Sequence, residues 1–248
     1  MNVAGGGPMP NSEHSQSPTS LKQVVILQPT QVGAAPDPAI PIMQETLLLL
    51  DLAVQESSVD LREISQLVLD DLGATLQILR LAGREYANSH DRPLRIEDCI
   101  SALGVNACMQ AVSETRAARD GRQRAIAEMW AHAREIAKYS KEVADELPEV
   151  NPDQAYLVGL LHLIGSLPSV LGWNDTRKDA AAEALNGLQM AKRWWLPPFV
   201  QQFFAEIQSA EFKSEWSEIV RLAHQRATRS SFKCPFDPEF RPILIQDV

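Results

Sequence analysis

The stretch from Gln154 to Leu167 is apolar almost all the way round a helical projection, and no other segment constrains the fold as strongly. A helix lying on a protein surface shows one apolar stripe, so a helix greasy on nearly every side must be wrapped by other elements. Asn151-Pro152-Asp153 marks its start. The Asn is an N-cap side chain, the proline lacks an N–H that would be orphaned there anyway, and the Asp sits at the positive end of the helix dipole. The spacing predicts a helix that runs from here to about Pro168 and carries His162. The rest of the chain has to supply its shell.

Nearly every other segment repeats its apolar residues at three- and four-residue spacing, punctuated by Pro, Gly and Asp, which predicts an all-α fold. Helices are expected over Pro38 to Gln55, from Asp60, and over Gly73–Arg84, Ile96–Leu103, Val105–Ala118, Gln123–Leu147, Ala180–Lys192, Pro198–Gln208 and Ser214–Thr228. Asp60-Leu61-Arg62-Glu63 fits a capping box, with Asp60 accepting from the amide near Glu63 while Glu63 reaches back. Residues 1 to about 20 hold almost no large apolar side chain, and ordering them would cost backbone entropy without compensating burial. Val24–Leu27 and Ile243–Ile245 are short β-prone runs that could pair as one small ribbon. The organisation expected is a tail over 1–35, a helical domain over 36–230 made of tightly packed subdomains 36–120 and 121–230, and an extension over 231–248.

Composition narrows the function classes. The apolar runs Leu47–Leu50 and Tyr156–Leu161 fall short of the roughly 20 residues that span a bilayer, so no membrane association is expected. The first residues have neither a basic start nor an apolar core of the kind a secretory signal needs, which predicts a cytoplasmic protein. Cys99, Cys108 and Cys234 have no CxxC spacing and are odd in number, against both a disulfide framework and a cysteine zinc site. A formal net charge of −9 argues against an extended nucleic-acid interface. A Walker-type loop, a nucleophile elbow and an HExxH pair are all missing from the sequence.

Several motifs, taken in order, resemble one family. Leu69-Asp70-Asp71-Leu72 leads into the leucine-rich stretch to Ala82, and Ile96 to Gly104 resembles "I-x-x-A-I-x-x-L-G" with Cys99 at the central alanine. Met129-Trp130-Ala131-His132 resembles "L-W-x-H", Gly159-Leu160-Leu161-His162-Leu163-Ile164-Gly165 resembles "G-L-L-H-D-I-G", and Trp194-Trp195-Leu196-Pro197 resembles "W-x-L-P". The pattern is similar to the HDOD domain, a relative of the HD phosphohydrolases found in bacterial signalling proteins, and it runs from about Pro41 to Ala227. The resemblance implies an all-helical signalling or protein-interaction module without established catalytic chemistry.

In metal-dependent HD relatives two histidines, the aspartate after the second and a later aspartate bind metal. By the motif match, His132 and His162 stand at the histidine places, Leu163 at the aspartate place, and His224 near the later one. A phosphohydrolase needs imidazoles and carboxylates converging on a cation that polarises a phosphoryl oxygen and acidifies a water. Leucine offers neither lone pair nor charge. No metal or other cofactor is therefore expected, and the three histidines read as vestigial, buried and satisfied, with His132 hydrogen-bonded to a neighbouring backbone carbonyl.

Trp130, Trp194 and Trp195 read as core or interface anchors rather than a ligand pocket. Arg116, Arg119, Arg122 and Arg124 form one basic stretch and Arg221 and Arg226 belong to another. Placed beside the degenerate site, either could hold an anion through guanidinium contacts. The expected function is a non-catalytic regulatory module that docks a protein partner in a signalling pathway. The alternatives are a residual metal-dependent phosphohydrolase acting on nucleotides or cyclic dinucleotides, and a non-catalytic sensor of a small anionic nucleotide.

Overall fold

A computed structural model describes residues 39–55, 58, 60–87, 89, 91–114, 122–173, 180–209 and 214–227, all within one compact unit, Pro38–Val248. The fold is all-α. Its elements are α1 (Gln44–Gln55), α2 (Leu61–Leu69), α3 (Leu72–Glu85), α4 (Ile96–Leu103), α5 (Val105–Ser113), α6 (Gln123–Asp145), α7 (Pro152–Leu161), a 3-10 turn (Ile164–Ser166), α8 (Leu167–Leu171), α9 (Ala180–Arg193), α10 (Pro198–Ser209) and α11 (Glu215–Arg226). The two β-prone runs, the 1–35 tail and the 231–248 extension lie outside the described residues.

Two groups of helices emerge from the packing. Helices α1 to α5 pack on one another, α6 to α11 do the same, and α3 meets α6 between them. The central helix behaves as its composition demands, with every residue from Ala155 to Leu161 buried. Asn151 caps α7 as predicted, its side-chain oxygen accepting from the amides of Asp153 at 2.9 Å and Gln154 at 3.2 Å. The helix does not continue to Pro168. It stops at Leu161, and the chain turns through His162 and Leu163 into the 3-10 turn before α8. Pro168 falls in the first turn of α8, where its missing N–H costs nothing. An 18-residue window of Pro152–Leu171 has a mean hydropathy of 1.4 and is, by length and composition, apolar enough to cross a membrane, contrary to the shorter runs seen in the sequence. Here 78% of it is buried within the protein.

Other boundaries also moved for local reasons. Helix α1 begins at Gln44 rather than Pro38, since Pro41 disfavours helical backbone before it and the Met43 amide donates instead to Asp71. Asp60 caps α2 by accepting from the Arg62 amide at 2.9 Å, not from the amide near Glu63. Residues 115–121, the end of the predicted fifth helix, lie outside the described residues.

Asp71 is the polar centre of the fold. Fully buried, it caps α3 through the Ala74 amide at 3.0 Å, takes the Met43 amide at 2.8 Å, and takes the Trp130 indole N–H from α6 at 3.1 Å. One carboxylate thus ties the entry to α1, the start of α3 and the long helix α6 together. Next to it Gly73 lets the chain before α1 pass over α3, for a Cβ there would lie 2.1 Å from the Pro41 carbonyl oxygen. Trp194 is also core, with the Arg80 guanidinium 4.9 Å from its ring centre, whereas Trp195 is 38% exposed in a left-handed turn with φ of 48°. Cys99 and Cys108 are buried, and burial pushes their thiols up to about 12 and about 11, so they are poor nucleophiles.

Stranding three buried donors is costly, so Asp71→Ala is expected to lose about 3 kcal/mol or more of unfolding free energy. Trp130→Phe, which removes one donor, should lose less, and the double variant should be less destabilised than the sum of the two. Urea denaturation of the four proteins in the cycle measures this, and strict additivity would contradict the hydrogen bond's role.

Candidate functional site

Three histidines meet where α6, α7 and α11 come together. His132 projects from the middle of α6, His162 caps the C-terminal end of α7, and His224 lies in the last turn of α11. Their ring centres are 5.4 Å apart for His132 and His162, 5.1 Å for His132 and His224, and 5.0 Å for His162 and His224. One ring nitrogen from each falls in a group whose members all lie within 4.8 Å of one another. All three are buried, at 3%, 1% and 7% exposure respectively.

Close helix packing sets this geometry. Gly159 faces α6, and a Cβ there would lie 2.8 Å from the Ala137 backbone and 2.5 Å from the Ser140 hydroxyl. The missing side chain lets α7 settle against α6 one turn before His162. The Gly159 carbonyl also receives the His162 ring at Nδ1, 2.6 Å away. A carbonyl can only accept, so Nδ1 is assigned the proton and the neutral ring keeps its lone pair on Nε2. That Nε2 points at Nε2 of His224, 3.3 Å away. Without a cation, the His224 N–H donates into the His162 lone pair.

His162 and His224 are held in the neutral form. Burial, and then the nearby His224 and His132, hold His162 well below the usual imidazole range. Burial first, and His132 second, bring His224 down to about 3. Leu163 does not approach this chemistry from the acidic side at all, being 1% exposed and part of the apolar core. Among the described residues, the metal-competent group contains histidines alone. The two-histidine, two-aspartate donor set of metal-dependent HD relatives is therefore not reproduced, while a three-imidazole set is.

Sequence reading named all three histidines, and the structure brings them together. His224 was the weakest match, yet the spacing of Trp216, Val220 and Ala223 puts it on the buried face of α11, and that signal was available. The arginines are placed elsewhere. Arg116 and Arg119 lie outside the described residues. Arg122 donates to the Val170 carbonyl at 3.4 Å, Arg124 pairs with Glu128 at 2.8 Å, Arg221 pairs with Glu218, and Arg226 pairs with Glu146 at 2.9 Å. None of these four turns toward the histidines as an open cluster; each is engaged along its own helix or with a neighbouring segment.

Neutral buried histidines make stability depend on pH in one direction. The unfolded chain protonates His162 and His224 near pH 6.5 while in the folded protein both resist, so stability is full above that pH and falls as pH drops below it. Each resisting histidine adds up to about 1.4 kcal/mol per pH unit to the loss. Urea midpoints of the metal-free protein should be flat from pH 8 to 7 and decline from pH 6 to 5, and His224→Gln should shallow the decline. A pH-independent midpoint down to pH 5 would contradict the neutral pair.

Comparison with known proteins agrees with this architecture. The MmoQ response regulator of Methylococcus capsulatus str. Bath is similar over 83% of this chain and 92% of its own, with 20% identity and a TM-score of 0.59. A virulence factor from Campylobacter jejuni subsp. jejuni aligns over 75% of this chain and 74% of its own at 17% identity, with a TM-score of 0.49. Likeness to MmoQ at that identity shows the fold alone. No curated protein matches the sequence. The HDOD domain profile matches residues 40–185, from the segment before α1 into α9 and across both His132 and His162. The chain belongs to the HDOD family.

Proposed function

We propose that this protein is a non-catalytic regulatory module of the cytoplasm that works by docking a protein partner. The observation that carries the reading is Leu163, a leucine buried in the core at the place where a metal-dependent relative needs its carboxylate. With no acid in the histidine group among the described residues, nothing there is arranged to activate a water and balance a two-metal phosphoryl clamp. A surface suited to docking is offered by α1. Leu48, Leu49 and Leu52 are 59%, 40% and 52% exposed and share one side of the helix, while Leu50 and Ala53 on the other side are buried. Adjacent exposed leucines on one helix face are the kind of apolar patch that partner helices cover.

A second reading, recognition of a small anionic nucleotide, is favoured by a cleft of about 350 Å³ between α2, α4, α6 and α7. Arg62, Arg95, Lys138 and Lys141 line it against Glu97 and Asp153, a local cation excess on an acidic chain. Asp153 is shared by Arg95 at 3.2 Å and Lys141 at 3.0 Å.

Two measurements separate these readings from a hydrolase. The full chain supplied with Mn²⁺ or Zn²⁺ is expected to show no turnover of phosphodiester or nucleotide substrates. Metal-dependent turnover that disappears in His162→Ala would overturn the proposal. In the native cell, affinity capture should recover a reproducible partner that is lost with Leu48→Glu/Leu52→Glu, a variant expected to keep its helical circular dichroism. A thermal-shift screen with nucleotides should be flat under the docking reading. Under the second reading, a nucleotide at 100 times its dissociation constant should stabilise by about 2.7 kcal/mol, and Arg62→Glu/Lys138→Glu should abolish the response.

A further inference from the structure

We propose that His132, His162 and His224 form a mononuclear binding site for a Zn²⁺-class divalent cation that fastens α11 to α6 and α7. The proposal departs from the expectation that the three are vestigial, and the ground for it is geometric. The separation of 3.3 Å between Nε2 of His162 and Nε2 of His224 equals the edge of a tetrahedral site, which is about 3.3–3.4 Å for metal–nitrogen bonds of 2.0–2.1 Å. His132 completes a three-sided set, its nearest candidate nitrogen within 4.8 Å of the others, so a modest inward rotation of its ring closes the site.

The second argument is orientation. Ligating histidines usually donate their other ring N–H to a carbonyl or carboxylate, which fixes the tautomer and aims the lone pair at the metal. His162 already does so, with Nδ1 on the Gly159 carbonyl and Nε2 presented to the junction. Binding requires His224 to move its ring proton from Nε2 to Nδ1. That is a change of tautomer within a neutral ring, so no net proton is gained or lost.

The third argument is the donor set. Three imidazoles without a carboxylate suit Zn²⁺, Co²⁺, Ni²⁺ or Cu²⁺ and offer little to Mg²⁺ or Ca²⁺, which take oxygen ligands. The set also differs from that of the metal-dependent relatives. Leu163 replaces one of their carboxylates, and His224 comes from α11, beyond the segment 40–185 that the family profile matches. Ligands 30 and 62 residues apart in sequence belong to three helices, and the unfolded chain does not assemble them. A cation here binds the folded state selectively and stabilises the seam between α11 and the central pair. The inference stands independently of the docking reading, since a metal pin serves a binding module as readily as an enzyme.

The test uses the full chain without a histidine tag, stripped with chelator and then titrated with Zn²⁺ and, as a spectroscopic probe, Co²⁺. Elemental analysis after dialysis should give one Zn²⁺ per chain, with an upward thermal shift that Mg²⁺ does not produce. Co²⁺ should give the intense visible bands of a four-coordinate site. In His224→Ala the affinity should fall at least about 100-fold, with helical circular dichroism unchanged. Retention of less than a tenth of an equivalent of Zn²⁺ by the wild-type chain would overturn the proposal, as would unchanged affinity in His224→Ala. Should that variant fail to fold, imidazole NMR of the wild type decides. Zn²⁺ must shift the ring signals of His132, His162 and His224 together, and a shift confined to any other residue refutes the site.

Discussion

The absent side chain of Gly159 is the constraint on which the rest depends. Because α7 meets Ala137 and Ser140 of α6 with no Cβ between them, the two helices lie close enough for His132 and His162 to share one pocket. The same residue's carbonyl then turns the His162 ring and selects its tautomer. Packing and chemistry are thus fixed by one position. A side chain there would push the helices apart and, with the same movement, open the histidine group.

A second constraint joins the front half of the molecule to this seam. Asp71 is buried because three separate segments need an acceptor at one point, and its indole partner, Trp130, lies two residues from His132. Tyr156 repeats the connection from α7, its hydroxyl donating to the Leu69 carbonyl at 3.2 Å. The two helical groups are therefore held by directional bonds as well as by apolar burial. Apolar contacts alone tolerate sliding, whereas a fully satisfied buried polar group has one low-energy register.

Much of this was legible in the residues. Helical period located the described helices, since α3, α4, α6, α9, α10 and α11 follow directly from apolar spacing. The all-round greasiness of α7 gave its central place. Boundaries failed where a tertiary bond overrode local preference, as when Met43 chose Asp71 over a helix, and α7 stopped at Leu161 short of the predicted end. Asp71 itself looked like an ordinary acidic helix start, because sequence shows the cap but not the partners that arrive from residues 43 and 130. The histidines were named from the motifs, and the structure brings all three together. Leu163 argues soundly against the donor set of the phosphohydrolases, yet it says nothing about a different set completed by a third imidazole from a helix far along the chain.

An HDOD domain with a leucine in place of an acid and a third histidine in place of another is a consistent object. Neither residue brings a carboxylate to the junction, and the ring nitrogens of three histidines occupy the point where the helices converge. The central claim is that this junction holds His162 as a neutral imidazole oriented by the Gly159 carbonyl. Long-range ¹H–¹⁵N NMR of the imidazole rings in the metal-free protein at pH 7 tests it most directly. The account predicts His162 as the neutral ring protonated on Nδ1, with Nε2 bare. A ring protonated on Nε2, or a charged imidazolium at that pH, would contradict it.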